Sequence, residues 1–305
     1  MIESYLPWIG FHIFIFAALV IDLGVFHRDH HEVRFREAAI WSVIWVSLAV
    51  IFDLGILYFK GQQAALEFAT GYIVEWSLSV DNLFVFITIF TAFAVPRIYQ
   101  HRVLFWGIIG ALVMRAVFIF TGIALLNKFH WIIYVFGGFL LFTGVKLMFV
   151  ESDPPDPRNH WLLRVIRKWL PLTEDYQEGR FFVKIEGKRM ATPLFLVLLV
   201  VEASDLIFAV DSIPAILVIT KTPFIVYTSN IFAILGLRSL YFMLAGAMSI
   251  FRYLRYGLAC ILVFIGAKMC LADIYHIPIL VSLLVIVFFL VTAILASIVI
   301  KQKVE

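Results

Sequence analysis

The chain has 305 residues, 63% of them hydrophobic and only 15% charged, with a mean hydropathy of +1.00. So few charges cannot cover a soluble globule of this length, and the same figures exclude intrinsic disorder, while 17 Gly and 2 Cys exclude collagen-like and disulfide-stapled folds. The net charge of +3 is no sign of nucleic-acid binding, because the basic residues fall where membrane topology puts them.

The class that remains is an all-α polytopic membrane protein. About 20 apolar residues cross ~30 Å of hydrocarbon at 1.5 Å per residue. On that measure nine transmembrane helices are predicted, at 7–26, 38–59, 68–93, 103–125, 131–150, 192–219, 224–247, 257–273 and 278–300. The first lacks a basic leader and a small-residue cleavage site, so a retained helix is expected rather than a signal peptide.

Lys and Arg orient the spans. With the N-terminus outside and the C-terminus cytoplasmic, seventeen bases fall on the inner side. Only Lys60, Lys128 and Lys221 fall on the outer side, and Arg115, Lys146, Arg238 and Lys268 lie within spans.

Between spans 5 and 6, residues 151–191 form a cytoplasmic loop too short for a core of its own. Within it WLLRVIRKWL predicts a short helix lying on the inner leaflet, and RFFVKIEGKRM predicts a hairpin turning at Glu186-Gly187. Cys260 and Cys270 lie ten apart in one apolar run, with neither redox nor zinc spacing. His27, His30 and His31 read as part of a solvated basic loop.

Three ordered similarities divide the single membrane domain into two units, 68–150 and 192–273. EWSLSVDN in span 3 answers DLIFAVDS in span 6, Arg115 answers Arg238, and LFTGVKLM answers VFIGAKMC with Gly144 on Gly266 and Lys146 on Lys268. Span 3 runs inward and span 6 outward, so spans 3–5 and 6–8 are predicted to be an inverted repeat, an architecture of transporters that bind cargo near the midplane.

Glu75, Asp81, Glu202, Asp205 and Asp211 lie deep within spans 3 and 6, with Asn82 beside them. Each such acid costs roughly 2.5–3.5 kcal/mol to insert at a helix centre, so intramembrane acids mark a pathway or site. Glu75 to Asp81 and Asp205 to Asp211 are each six apart, about 120° out of register on a straight helix. Either the helices unwind there or each acid serves a different side, and Pro214 predicts a break or kink near Asp211. Glu75, Ser79 and Asn82 share one face.

Carboxylate, amide and hydroxyl oxygens without Cys or His in these spans suit a hard dication such as Mg²⁺, Ca²⁺ or Mn²⁺. Arg115 and Arg238 either pair with acids at rest or take part in gating and charge balance. Lys146 and Lys268, nearer span ends, snorkel or share that role.

At GYIVEWSLSVDNLFVF, VEASDLIFAVDSIPAI and FAILGLRSLYF the sequence resembles the TerC family of integral membrane proteins, in the layout of its Alx-like branch. The resemblance implies export of Mn²⁺ across the inner (cytoplasmic) membrane, with Glu75, Asp81, Asn82, Glu202, Asp205, Asp211 and Ser212 as the metal site. It also brings the family's association with tellurium resistance.

The expected function is therefore transport rather than an enzyme, with titratable carboxylates that suit coupling to protons. The metal ion and the bilayer are its partners, and no cofactor is permanently bound. Two other classes remain open: a membrane redox modulator or pH and metal stress sensor, and, more remotely, an intramembrane aspartyl protease using Asp81 and Asp211, for which no GxGD signature is present.

Overall fold

The computed structural model describes residues 2–26, 35–129, 131–149, 171–185, 187–244, 253–271, 273–275 and 277–299. Their order is α1 (Ile2–Phe26), α2 (Phe35–Lys60), α3 (Gln62–Ala92), α4 (Arg97–Lys128), α5 (Ile132–Phe149), β1 (Phe182–Ile185), β2 (Lys188–Ala191), α6 (Pro193–Leu217), α7 (Pro223–Leu235), α8 (Leu237–Leu244), α9 (Leu254–Cys270) and α10 (Ile279–Val299). The predicted leaflet helix and the histidines at 27–31 lie outside the described residues.

Among the described residues each predicted apolar segment overlaps a helix, and 224–247 overlaps the α7–α8 pair. Seven spans among the described residues are long and apolar enough to cross a bilayer, with α7 and α8 together making one of them. α1 contributes a shorter apolar run, Tyr5–Val20, and α9 has 17 residues. Aliphatic side chains cover the outer faces of α2 and α10, as lipid contact requires, whereas α3 and the α7–α8 span are wrapped by other helices.

The break expected near Asp211 is absent. α6 runs unbroken from Pro193 to Leu217 with Pro214 inside it. Pro214 falls in the last turn, so its missing N–H removes one ladder bond close to where the helix ends anyway. α3 is likewise one continuous helix. The interruption lies instead in span 7, where Gly236 separates α7 from α8 in a tight right-handed turn (φ −73°, ψ −15°).

α3 packs along α7 and α4 along α6, so the two pairs interlock. Glycines set these approaches. A β-carbon on Gly71 of α3 would lie 2.9 Å from Ser229 Oγ of α7, and one on Gly122 of α4 would lie 2.9 Å from Leu217 Cδ1 of α6. Small residues let helix backbones close in lipid, where the hydrophobic effect between helices is weak.

The closest contact joins α5 to α9. A β-carbon on Gly266 would lie 2.8 Å from both Gly137 O and Leu141 N, and one on Gly144 would lie 2.9 Å from both Ala259 O and Val263 N. The helices are therefore antiparallel, and the two halves of the contact are alike: Gly266 meets residues at 137 and 141 as Gly144 meets residues at 259 and 263.

The predicted hairpin is present: β1 and β2 pair antiparallel with Ile185 opposite Lys188, and Gly187 takes a positive φ of 80° in the turn. Its preceding segment docks on the α3–α4 corner, where Tyr176 Oη donates to Phe93 O at 2.5 Å and Arg102 stacks over Phe181 at 5.5 Å.

Candidate cation site

The polar centre of the bundle is built by α3, α4 and α6. Arg115, 1% exposed, projects from α4 between the other two helices. Its Nη1 donates to Glu75 Oε1 of α3 and, at 3.3 Å, to Ser212 Oγ of α6, while Nη2 donates to Asp205 Oδ1 of α6 at 3.4 Å. A planar guanidinium with several donors suits such bridging, which a lysine ammonium could not reproduce in the same geometry.

The first acid of one motif and the matching acid of the other thus meet at one arginine. The second carboxyl oxygens, Glu75 Oε2 and Asp205 Oδ2, are buried without a partner, as are Arg115 Nε and Ser79 Oγ. Asp205 also borders a cavity of about 20 Å³ together with Phe86, Ile108, Ala111, Val201 and Leu237. That space is large enough for one water-sized occupant.

Glu202 stands one turn before Asp205 on α6, half-buried. Its carboxylate fills the space where a β-carbon on Gly110 of α4 would stand. Asn82 is buried on α3, on the face it shares with Glu75 and Ser79. The side chains of Asp81 and Asp211 lie outside the described residues, although their backbones belong to α3 and α6. Among the described residues no three Asp, Glu, His or Cys side chains converge closely enough to hold a metal ion. In this conformation Arg115 stands between Glu75 and Asp205.

The other bases have different fates. Arg238 is buried in α8 and engaged in an interaction of its own. Lys268, half-buried near the end of α9, donates to Ser282 Oγ of α10 at 2.7 Å. Lys146 is exposed in the last turn of α5. Neither lysine reaches the Arg115 cluster, so the sequence match between them does not extend to a common environment.

Sequence reasoning missed two residues. Gly110 carried no signal beyond being a glycine three after Gly107. Asn230 is the one amide of α7, wholly buried after Thr228 and Ser229, with neither Oδ1 nor Nδ2 partnered. An uncharged polar group deep in a span was the available cue.

The chain matches the Integral membrane protein TerC family over residues 60–305. It is 53% identical over 292 residues to the uncharacterized membrane protein STKORF319 of Myxococcus xanthus, covering 96% of this chain and 92% of the relative. It is 48% identical over 287 residues to a protein of Escherichia coli (strain K12) provisionally named membrane-bound redox modulator Alx, covering 91% and 89%. An uncharacterized membrane protein of Rickettsia bellii is 43% identical over 300 residues, 98% of this chain and 99% of that one. No solved structure matches. With a family match over most of its length and near-full-length relatives, this chain belongs to the TerC family of integral membrane proteins.

Proposed function

We propose that the protein exports a divalent cation, Mn²⁺, from the cytoplasm through a buried carboxylate site. The observation that carries this is the Arg115 cluster. One guanidinium balances Glu75, Asp205 and, a turn away, Glu202, leaving the described centre two charges short when all three acids are ionised. A dication supplies those charges, and Asp81, Asp211, Asn82 and Ser212 complete a set of hard oxygen ligands. The choice of Mn²⁺ over Ca²⁺ and Mg²⁺ rests on resemblance to the family.

In this reading Arg115 and the cation compete for the same carboxylates. Arg115 occupies the place of the cation, and metal binding displaces it from Glu75 and Asp205. Protons returning to those carboxylates release the metal on the far side, which makes exchange for H⁺ the natural coupling. The interlocked α3–α7 and α4–α6 pairs and the like halves of the α5–α9 contact support an inverted repeat, whose rocking gives alternating access with the N-terminus outside and the C-terminus cytoplasmic.

The provisional name of the Escherichia coli relative favours a redox role. Against it, Cys260 and Cys270 are the only cysteines and lie ten residues apart on α9, about 15 Å along the axis, beyond disulfide reach. Mn²⁺ flux into liposomes carrying the purified protein decides between the readings. Wild type should move Mn²⁺, and Asp205→Asn should be folded and inactive. No flux under any Mn²⁺ or proton gradient overturns the transport reading.

A further inference from the structure

Asn230 lies on α7, every described neighbour from Phe224 to Leu235 is buried with it, and both polar atoms of its side chain lack partners. The adjacent hydroxyls are accounted for: Thr228 Oγ1 donates to Phe224 O at 2.7 Å and Ser229 Oγ to Val226 O at 3.2 Å. An amide buried without a hydrogen bond destabilises the fold in which it sits, and so requires a reason.

Its position follows from three contacts between α4 and the α7–α8 span. Phe120 packs on Tyr227 with ring centroids 6.1 Å apart. Ile108 and Ala111 face Ile234 and Leu237 across the cavity beside Asp205, and Tyr241 Oη donates to Gln100 Oε1 at 2.9 Å. As numbers rise along α4 they fall along the opposing span, so the two run antiparallel. Between the Phe120–Tyr227 contact and the cavity, Arg115 comes level with Asn230. Asn230 also lies one turn before Ile234 on α7, and Ile234 lines the cavity that Asp205 borders.

We infer that Asn230 is a neutral oxygen ligand of the cation, contributed by α7 to the site at Arg115, Glu75 and Asp205. This rests on the transport reading and extends it to a fourth helix. A carboxamide oxygen is a hard donor like the carboxylates, but it adds no charge and no proton to the exchange. It therefore tunes affinity for a dication without altering how many protons the site takes up in return.

The test compares wild type with Asn230→Leu and Asn230→Asp, reading both Mn²⁺ flux in liposomes and the shift that Mn²⁺ produces in thermal unfolding of detergent-solubilised protein. Leucine matches the amide in size and removes its unpaired groups, so that variant should unfold no earlier than wild type without metal. It should need at least tenfold more Mn²⁺ for half-maximal flux and for half-maximal thermal shift. Asn230→Asp, which keeps an oxygen, should still transport, with an altered ranking of Ca²⁺ against Mn²⁺.

A leucine variant with wild-type flux and wild-type metal shift overturns the assignment and makes Asn230 a packing residue. A wild type that moves no Mn²⁺ yet shows a metal shift dependent on Asn230 overturns transport and keeps the ligand. Neither flux nor shift in wild type overturns both.

Discussion

Glu202 of α6 rests its carboxylate in the space that any side chain at Gly110 of α4 would claim. The fit makes Gly110 a means of moving one carboxylate with little other change, because the atoms in the way are the free end of a long side chain rather than backbone. Gly110→Ala should raise helix propensity by up to about 1 kcal/mol, leaving the folded yield unchanged or higher. Mn²⁺ flux should nevertheless fall by tenfold or more as Glu202 is pushed aside. Unchanged flux from a well-folded variant would remove Glu202 from the site.

Arg115 offers a second test. Replacing it by Met leaves Glu75 and Asp205 buried without their counter-charge, a change that costs about 3–5 kcal/mol when a buried pair is broken from one side. Adding Glu75→Gln to Arg115→Met should restore part of that loss, since it removes a carboxylate left unpaired. Thermal unfolding of the single and double variants in one detergent gives the coupling directly. Strictly additive losses would show that the two residues do not act as a pair.

The α5–α9 contact predicts opposite outcomes for glycines on the same pair of helices. Nothing lies within 4 Å of a β-carbon on Gly138, so Gly138→Ala should be neutral or slightly stabilising. Gly266→Ala would meet the Gly137 carbonyl and the Leu141 N–H of α5, which cannot step aside, and should force the helices apart. Size-exclusion profiles and unfolding temperatures of the two variants should separate clearly. Equal behaviour would mean that the close approach is not required.

Outside the membrane, burial raises the hydroxyl pKa of Tyr176 above its ordinary value of 10.0. Its folded-state value therefore exceeds the unfolded one, and the stability it contributes is complete below pH 10 and lost as pH rises beyond it. Docking of the hairpin segment on the α3–α4 corner should be indifferent to pH across the physiological range and weaken only in strong alkali. Tyr176→Phe should abolish that alkaline dependence while removing the bond to Phe93 O, as read by protease accessibility of residues 171–191. Loss of docking near neutral pH in wild type would contradict this.

The helices were legible because spanning a bilayer demands long apolar runs, and the hairpin because Glu186-Gly187 sits between alternating residues. The grouping of Glu75 with Asp205 was legible only as two similar motifs; which acids would share Arg115 depended on how α3, α4 and α6 cross. Pro214 misled because its effect on α6 depends on how near the helix is to its end, which is set by the turn that follows. Lys146 and Lys268 occupy matching positions in sequence, yet α10 covers only Lys268. Asn230 escaped notice because an amide beside Thr228 and Ser229 looks unremarkable until the packing leaves both its polar atoms without partners while the hydroxyls bond to their own helix.

The α5–α9 contact carries a consequence for how such a bundle can be assembled. Since Gly144 meets its neighbours as Gly266 meets the corresponding ones, the two backbones approach each other with two-fold symmetry, which is the property of an isologous interface between identical subunits. Two copies of a polypeptide half as long, inserted in opposite senses, would meet at these two glycines in the same way. The segment that joins α5 to α6 then serves as a covalent tether, fixing at one to one a pairing that separate halves would have to find by diffusion in the plane of the membrane.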